Sequence, residues 1–263
     1  MSINPADLDR GGLRLDIDDS RPAGCVATVT LNRPQRRNAM TPAMWHGLAA
    51  IGAGLPGRVR VVLVRGAGPS FSAGIDLRMF SAEGVPGEDP LPRADDPGFE
   101  QWIAACQAGF TWLRDPRIVS VAVVRGHAIG AGCQLALSCD LRLLADDARF
   151  CIKEPALGLV PDLTGTKPLV DLLGLPRALE LCLTGRSMDA REAGQLGLAE
   201  LVVPVADLDG AADDLVAGLL TADADAARAT KELLTQAQGH TLDQQAAAER
   251  RSQAALQRAR LRR

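Results

Sequence analysis

Histidine is scarce in this chain, and the three present, His46, His127 and His240, lie far apart in sequence. No H-E-x-x-H helix and no G-x-S-x-G elbow occurs, which argues against a zinc peptidase and a serine-hydrolase nucleophile. His127 reads as a packed or solvent-facing side chain, because no partner for it can be identified. The six cysteines, Cys25, Cys106, Cys133, Cys139, Cys151 and Cys182, form no C-x-x-C pair. Their apolar neighbours mark them as reduced, buried thiols rather than a metal or redox clip. No apolar run approaches the roughly 18 residues of a membrane span, and the first residues carry no apolar core of a signal peptide. A basic field is missing as well: the formal net charge is −3 and arginines are scattered except in the closing RARLRR. Nucleic acid is therefore not expected as a partner, and the chain reads as cytoplasmic.

What is present is ordinary globular material. The 263 residues are 47% hydrophobic and 23% charged, enough to bury one large core. The runs Cys25 to Asn32, Val59 to Gly66 and Ile118 to Gly126 are β-rich and closed by turn residues, and Asp140 to Ile152 offers two more short strands. Helical patterns sit between them. Thr41 and Pro42 have the cap and first-position chemistry of one helix, and Trp102, Cys106, Phe110 and Leu113 recur at helical spacing in another. Strands alternating with helices predict α/β layering. Trp45, Trp102 and Trp112 read as core or interface. The stretch Ser81 to Gly98, rich in proline, glycine and acid, reads as a mobile loop. Beyond Ser187 the pattern is helical apart from LAELVVP, with Asp189 and Glu192 as a cap pair. The chain divides on this reading into a core, 1–195, and a C-terminal helical region, 196–263, whose apolar faces need a cover such as another subunit. No internal repeat is visible.

Two segments share one design. VVLVRGAGPSFSAGIDL and VAVVRGHAIGAGCQL each pass from an apolar strand through Arg-Gly into small residues and a helix start. Small residues let a ligand approach the backbone, and the first N–H groups of a helix have no intrahelical partner. The G-x-G-x-x-G fingerprint fails at its third glycine in both places: Gly66 and Gly68 lead to Phe71, and Gly130 and Gly132 lead to Leu135. Dinucleotides are thereby disfavoured, and the missing G-x-x-x-x-G-K-[ST] removes nucleoside triphosphates. A site for an anionic or polarised oxygen remains, alongside the plain alternative of two tight turns.

The blocks LNRPQRRNAM, FSAGIDLRMF, GHAIGAGCQLALSCD, FCIKEPALGLVPD and LTGRSMDAREAGQLGLAELVVP together resemble the crotonase, or enoyl-CoA hydratase/isomerase, superfamily. They stand in the family's order and cover most of residues 25–205. The resemblance implies an α/β spiral of ββα units with a C-terminal helical trimerisation region, assembled as a homotrimer or a dimer of trimers. It implies an acyl-CoA thioester as ligand, with no metal and no cofactor beyond the coenzyme A of the substrate. By position, the backbone N–H groups of Ala73 and Ala131 are expected to form an oxyanion hole. The main chain of Gly74, Ile75, Asp76 and Leu77 is expected to line the CoA pocket. Arg36, Arg37, Arg78 or Lys231 could approach the phosphates, although each is also an ordinary surface charge.

Hydratases of this family place two glutamates where this chain has Gln134 and Glu154. Glu154 is thus the expected general base for the C2 proton, while Gln134 can hold a water or orient Glu154 but cannot accept a proton. Asp162 either joins Glu154, as an aspartate does in related dienoyl-CoA isomerases, or caps a helix starting near Leu163. With one glutamate in place of two, double-bond migration in an enoyl- or dienoyl-CoA is the favoured expectation. Hydration of a trans-2-enoyl-CoA comes second. A non-catalytic acyl-CoA-binding protein, or other crotonase chemistry such as decarboxylation, dehalogenation or ring chemistry, also stays open.

Overall fold

In the computed structural model, which describes residues 3–21 and 24–262, the chain runs as follows. Helix α1 (Pro5–Arg10) leads to β1 (Leu13–Asp18), β2 (Cys25–Leu31), α2 (Pro42–Gly54) and β3 (Val59–Gly66). Then come α3 (Phe99–Thr111), β4 (Val119–Val124), β5 (His127–Ile129), α4 (Ala131–Ser138), β6 (Leu141–Ala145) and β7 (Arg149–Cys151). The remainder is α5 (Thr166–Leu173), α6 (Leu175–Thr184), β8 (Met188–Asp189), α7 (Ala190–Gln195), β9 (Leu201–Val203), α8 (Leu208–Leu220), α9 (Ala224–Ala237) and α10 (Leu242–Arg260).

The strands form a six-stranded sheet, β1-β2-β3-β4-β6-β9, and a three-stranded one, β5-β7-β8. Consecutive strands β4 and β5, and again β6 and β7, divide between the two sheets before a helix follows, which is the ββα spiral. All pairings in the larger sheet are parallel except β1 with β2. A parallel sheet covered on both faces needs apolar residues in near-continuous runs, and β2 to β4 have them. Alternation then sorts the side chains: Val62 and Val64 of β3 enter the main core, while Val61 and Leu63 face the other way. The second face is sealed by α8, whose Leu208, Ala212, Val216 and Leu220 recur every four residues. Edge strand β1 buries only Leu13, so its sequence, LRLDID, lacks the apolar run by which the inner strands were legible.

The division at residue 195 does not match these contacts. Strand β9 pairs with β6 in the larger sheet, and α8 covers that sheet, so the core body extends to residue 220. Only α9 and α10 stand apart: α9 buries no residue and α10 only Ala248. Lys231 of α9 anchors this pair, its Nζ donating to the carbonyls of Asp115 and Ile118 and to Asp140 Oδ2 at 2.9, 2.7 and 2.6 Å. Among the described residues no helix is long and apolar enough to cross a membrane.

Candidate active site

The two small-residue segments meet edge to edge. Ser72 N–H donates to the His127 carbonyl at 2.7 Å, and Ile129 N–H returns a bond to the Ser72 carbonyl at 3.0 Å. Gly74 adopts φ +92°, and a Cβ there would stand 2.8 Å from the Ile129 carbonyl oxygen, so a side chain would drive the segments apart. Gly130 has φ +51°, and its missing Cβ leaves room for the Glu154 carboxylate, which would lie about 3.3 Å away.

This register changes one expected donor. The Ala73 N–H is already spent, donating to the Arg37 carbonyl at 2.8 Å. Met40 bridges Gly74 and Asp76, donating its N–H to the Gly74 carbonyl at 2.7 Å and accepting from Asp76 N–H at 2.8 Å. In such a parallel bridge the N–H of the intervening residue, Ile75, points away from Met40. It makes no hydrogen bond to any described residue, whereas Ala131, at the first position of α4, keeps the free N–H expected there. Ile75 and Ala131 both line one apolar cavity of about 390 Å³, and Ala73 does not. The free pair of donors is therefore Ile75 and Ala131, because successive peptides of an extended segment point opposite ways.

Ala131 begins a helix whose eight residues are all buried, among them Gln134. Gln134 Oε1 accepts the N–H groups of Leu163 and Gly165 at 2.9 and 3.2 Å. That clamp fixes the amide, and Nε2 donates to Glu154 Oε1 at 2.6 Å. Glu154 sits at the start of a short 3-10 turn, Glu154–Leu157, ended by Gly158 at φ +73°. It is 6% exposed, and its Oε2 has no hydrogen-bond partner among the described residues. Burial pushes the Glu154 carboxyl above its ordinary value, the Gln134 bond opposes that, and the charge of Asp162 adds to it.

Asp162 lines the same cavity as Glu154. Its carbonyl accepts from Gln107 Nε2 at 2.7 Å, and desolvation raises its carboxyl. The capping alternative is not realised, since α5 starts at Thr166 with Gly165 at the cap position. Trp45, Met79, Leu91, Phe99, Trp102, Ile103 and Leu163 supply the apolar wall. Cys106, also in the wall, is pushed up to about 12 by burial and by Asp162, so its thiol stays protonated.

Of the residues expected around a CoA moiety, Asp76 is the best fixed. Arg78 and Arg33 bond its carboxylate at 2.7 and 3.0 Å and hold it well below the usual carboxylate range. Arg78 thus has a partner, and Lys231 is committed to the α9 anchor. Arg36 and Arg37 are exposed and form no ion pair with any described residue. Sequence reasoning missed Asn38, fully buried at φ +54°, whose side chain accepts from Arg33 N–H at 2.9 Å and donates to the carbonyls of Ala67 and Ser70 at 2.9 and 2.8 Å. Asparagine tolerates the left-handed region, so the RRN triplet was the available signal.

Comparison with known proteins agrees with this geometry. Residues 21–262 match the family described as Enoyl-CoA hydratase/isomerase. A crystal structure from Thermobifida fusca YX in complex with CoA, of a protein provisionally named an enoyl-CoA hydratase, is 56% identical with a TM-score of 0.94, covering 100% of this chain and 99% of that one. The same-named protein in complex with acetoacetyl-CoA gives 56% and 0.93, covering 98% and 100%. A Mycobacterium bovis relative named "Probable enoyl-CoA hydratase echA8" is 33% identical over 228 residues, 86% of this chain and 84% of its own.

Proposed function

The chain belongs to the enoyl-CoA hydratase/isomerase family, and from that premise we propose that it moves a carbon–carbon double bond within an enoyl- or dienoyl-CoA. The observation that carries this reading is the clamped Gln134 amide. It presents a donor to Glu154 and leaves that carboxylate a single unpartnered oxygen, Oε2, with Asp162 in the same cavity. A second carboxylate at position 134, able to activate water jointly with Glu154, is missing.

The chemistry follows from these groups. A 3-enoyl thioester binds with its carbonyl oxygen between the N–H groups of Ile75 and Ala131. Glu154 removes a C2 proton, the electron pair moves onto the thioester oxygen, and a dienolate results. Return of a proton at C4, from Glu154 or from a protonated Asp162, gives the 2-enoyl product with no net gain or loss. Preorganised donors stabilise the developing oxyanion without reorganisation. Burial raises the Glu154 carboxyl, the direction that suits a group that must both take and give a proton.

The CoA moiety is assigned to the main chain of residues 74–77, with Arg36 and Arg37 as the available phosphate partners. The arm of α9 and α10, together with exposed Leu175, Leu179 and Leu183 on α6, is assigned to contacts within a homotrimer or a dimer of trimers. Incubation with 3-enoyl-, 3,5-dienoyl- and trans-2-enoyl-CoA tests the reaction. Isomerisation without hydration is expected, and faster hydration of the trans-2-enoyl thioester would overturn the proposal in favour of a hydratase. Loss of turnover in E154Q with acyl-CoA binding retained assigns the base.

A further inference from the structure

Two cavities lie against one another. The chamber holding Glu154 and Asp162, about 390 Å³, adjoins a second of about 480 Å³ between the face of α2 and the loop at 87–92. Leu91 and Trp102 line both. Trp102 is braced on the chamber side: its ring stacks on Phe99 with centroids 5.9 Å apart and meets Trp45 edge-on at 6.4 Å. Leu91 is carried by a loop pinned to the start of α2, where Glu88 Oε2 accepts the Ala43 N–H at 2.9 Å.

The two spaces differ in chemistry as well as position. The chamber is walled almost wholly by apolar and aromatic side chains, whereas the second cavity carries Asp7, Arg10, His46, Glu88 and Asp89. An apolar chain end gains free energy while it displaces water from an apolar wall, so the shared wall is a steric stop to that gain.

We infer that Leu91 and Trp102 form the partition that ends the acyl chamber and thereby sets the longest acyl chain held in it. The inference rests on the acyl-CoA reading of the site. Removing the partition joins the chamber to the surface of α2 formed by Pro42, Ala43, Gly47 and Ala50, which is apolar enough to receive additional methylenes.

Calorimetric titration with coenzyme A and with saturated acyl-CoAs of increasing length tests it, because these bind without turnover. For the wild-type protein, each added methylene should tighten binding up to about fourfold, the equivalent of ~0.8 kcal/mol, until a plateau is reached. In L91A and W102A the plateau should move to longer chains, with about tenfold tighter binding than wild type two methylenes beyond the wild-type limit. An unchanged plateau in a folded variant overturns the partition while leaving the acyl-CoA reading intact. L91A, altering a half-buried loop residue, serves if W102A does not fold. Absence of binding of coenzyme A and of every thioester by the wild-type protein overturns both.

Discussion

Gln134 donates to Glu154 at 2.6 Å while its own carbonyl oxygen is held by the N–H groups of Leu163 and Gly165. Position 134 is therefore a fixed donor, and its chemistry should decide what Glu154 can do. In Q134E the clamped oxygen can still accept both N–H groups, but the other oxygen faces Glu154 and the pair must share a proton. Isomerisation is expected to fall about tenfold or more, hydration of trans-2-enoyl-CoA to rise, and the acidic limb of kcat/KM to move to higher pH. Parallel assays of both reactions across pH check this; unchanged rates would remove position 134 from the mechanism.

Glu154 carries a stability cost with a definite pH dependence. Its carboxyl is raised in the folded protein, so between the unfolded and folded values the native state binds more protons than the unfolded one. Stability from this group is present at low pH and is lost as pH rises through the raised value. E154Q should consequently melt higher than wild type at pH 8, with the difference shrinking toward pH 4, while turnover falls about 10²- to 10⁴-fold. Thermal melts at several pH values together with a turnover assay measure both effects.

Ala131 begins α4, in the first turn of the helix, where proline fits without loss of an internal bond. A131P should leave the fold in place, remove the free N–H and put the ring where the thioester oxygen would sit. Turnover is expected to drop at least about 10²- to 10³-fold. A circular dichroism melt close to wild type, alongside the kinetics, separates this from unfolding.

Lys231 joins an arm that buries almost nothing of its own to the sheet beneath it. K231M removes the charged donor of Asp140 Oδ2, which keeps its bonds from Ser120, and one donor to each of the Asp115 and Ile118 carbonyls, at a cost of about 1–3 kcal/mol. Hydrogen exchange should rise first in α9 and α10 and around 115–118. Unaltered protection there would show that the arm is held by other contacts.

Much of this protein was legible in one dimension, where side-chain type answers to a local demand. The inner parallel strands were visible because burial on both faces requires unbroken apolar runs, whereas β1 escaped notice because an edge strand needs few. Glu154 stood out through its frame of Phe150 and Gly158, and Gln134 through its isolation among apolar residues. The boundary at 195 failed for the opposite reason: three residues, Leu201–Val203, suffice to join a sheet when a neighbouring strand is waiting, and no local pattern reports that neighbour.

By itself the sequence determined which residue types were on hand: small residues that let a ligand approach the backbone, and, through its resemblance to the family, one carboxylate, Glu154, and an amide, Gln134, at the position where hydratases carry a second acid. Only the tertiary structure decided how their dipoles point. It turned the Ala73 N–H onto Arg37 and left that of Ile75 free, it locked the Gln134 amide with its donor toward Glu154, and it put Asp162 in the cavity rather than on a helix end. The physical reason is that a residue's type is local, whereas the direction of a peptide or amide is set by the partner it meets across the fold.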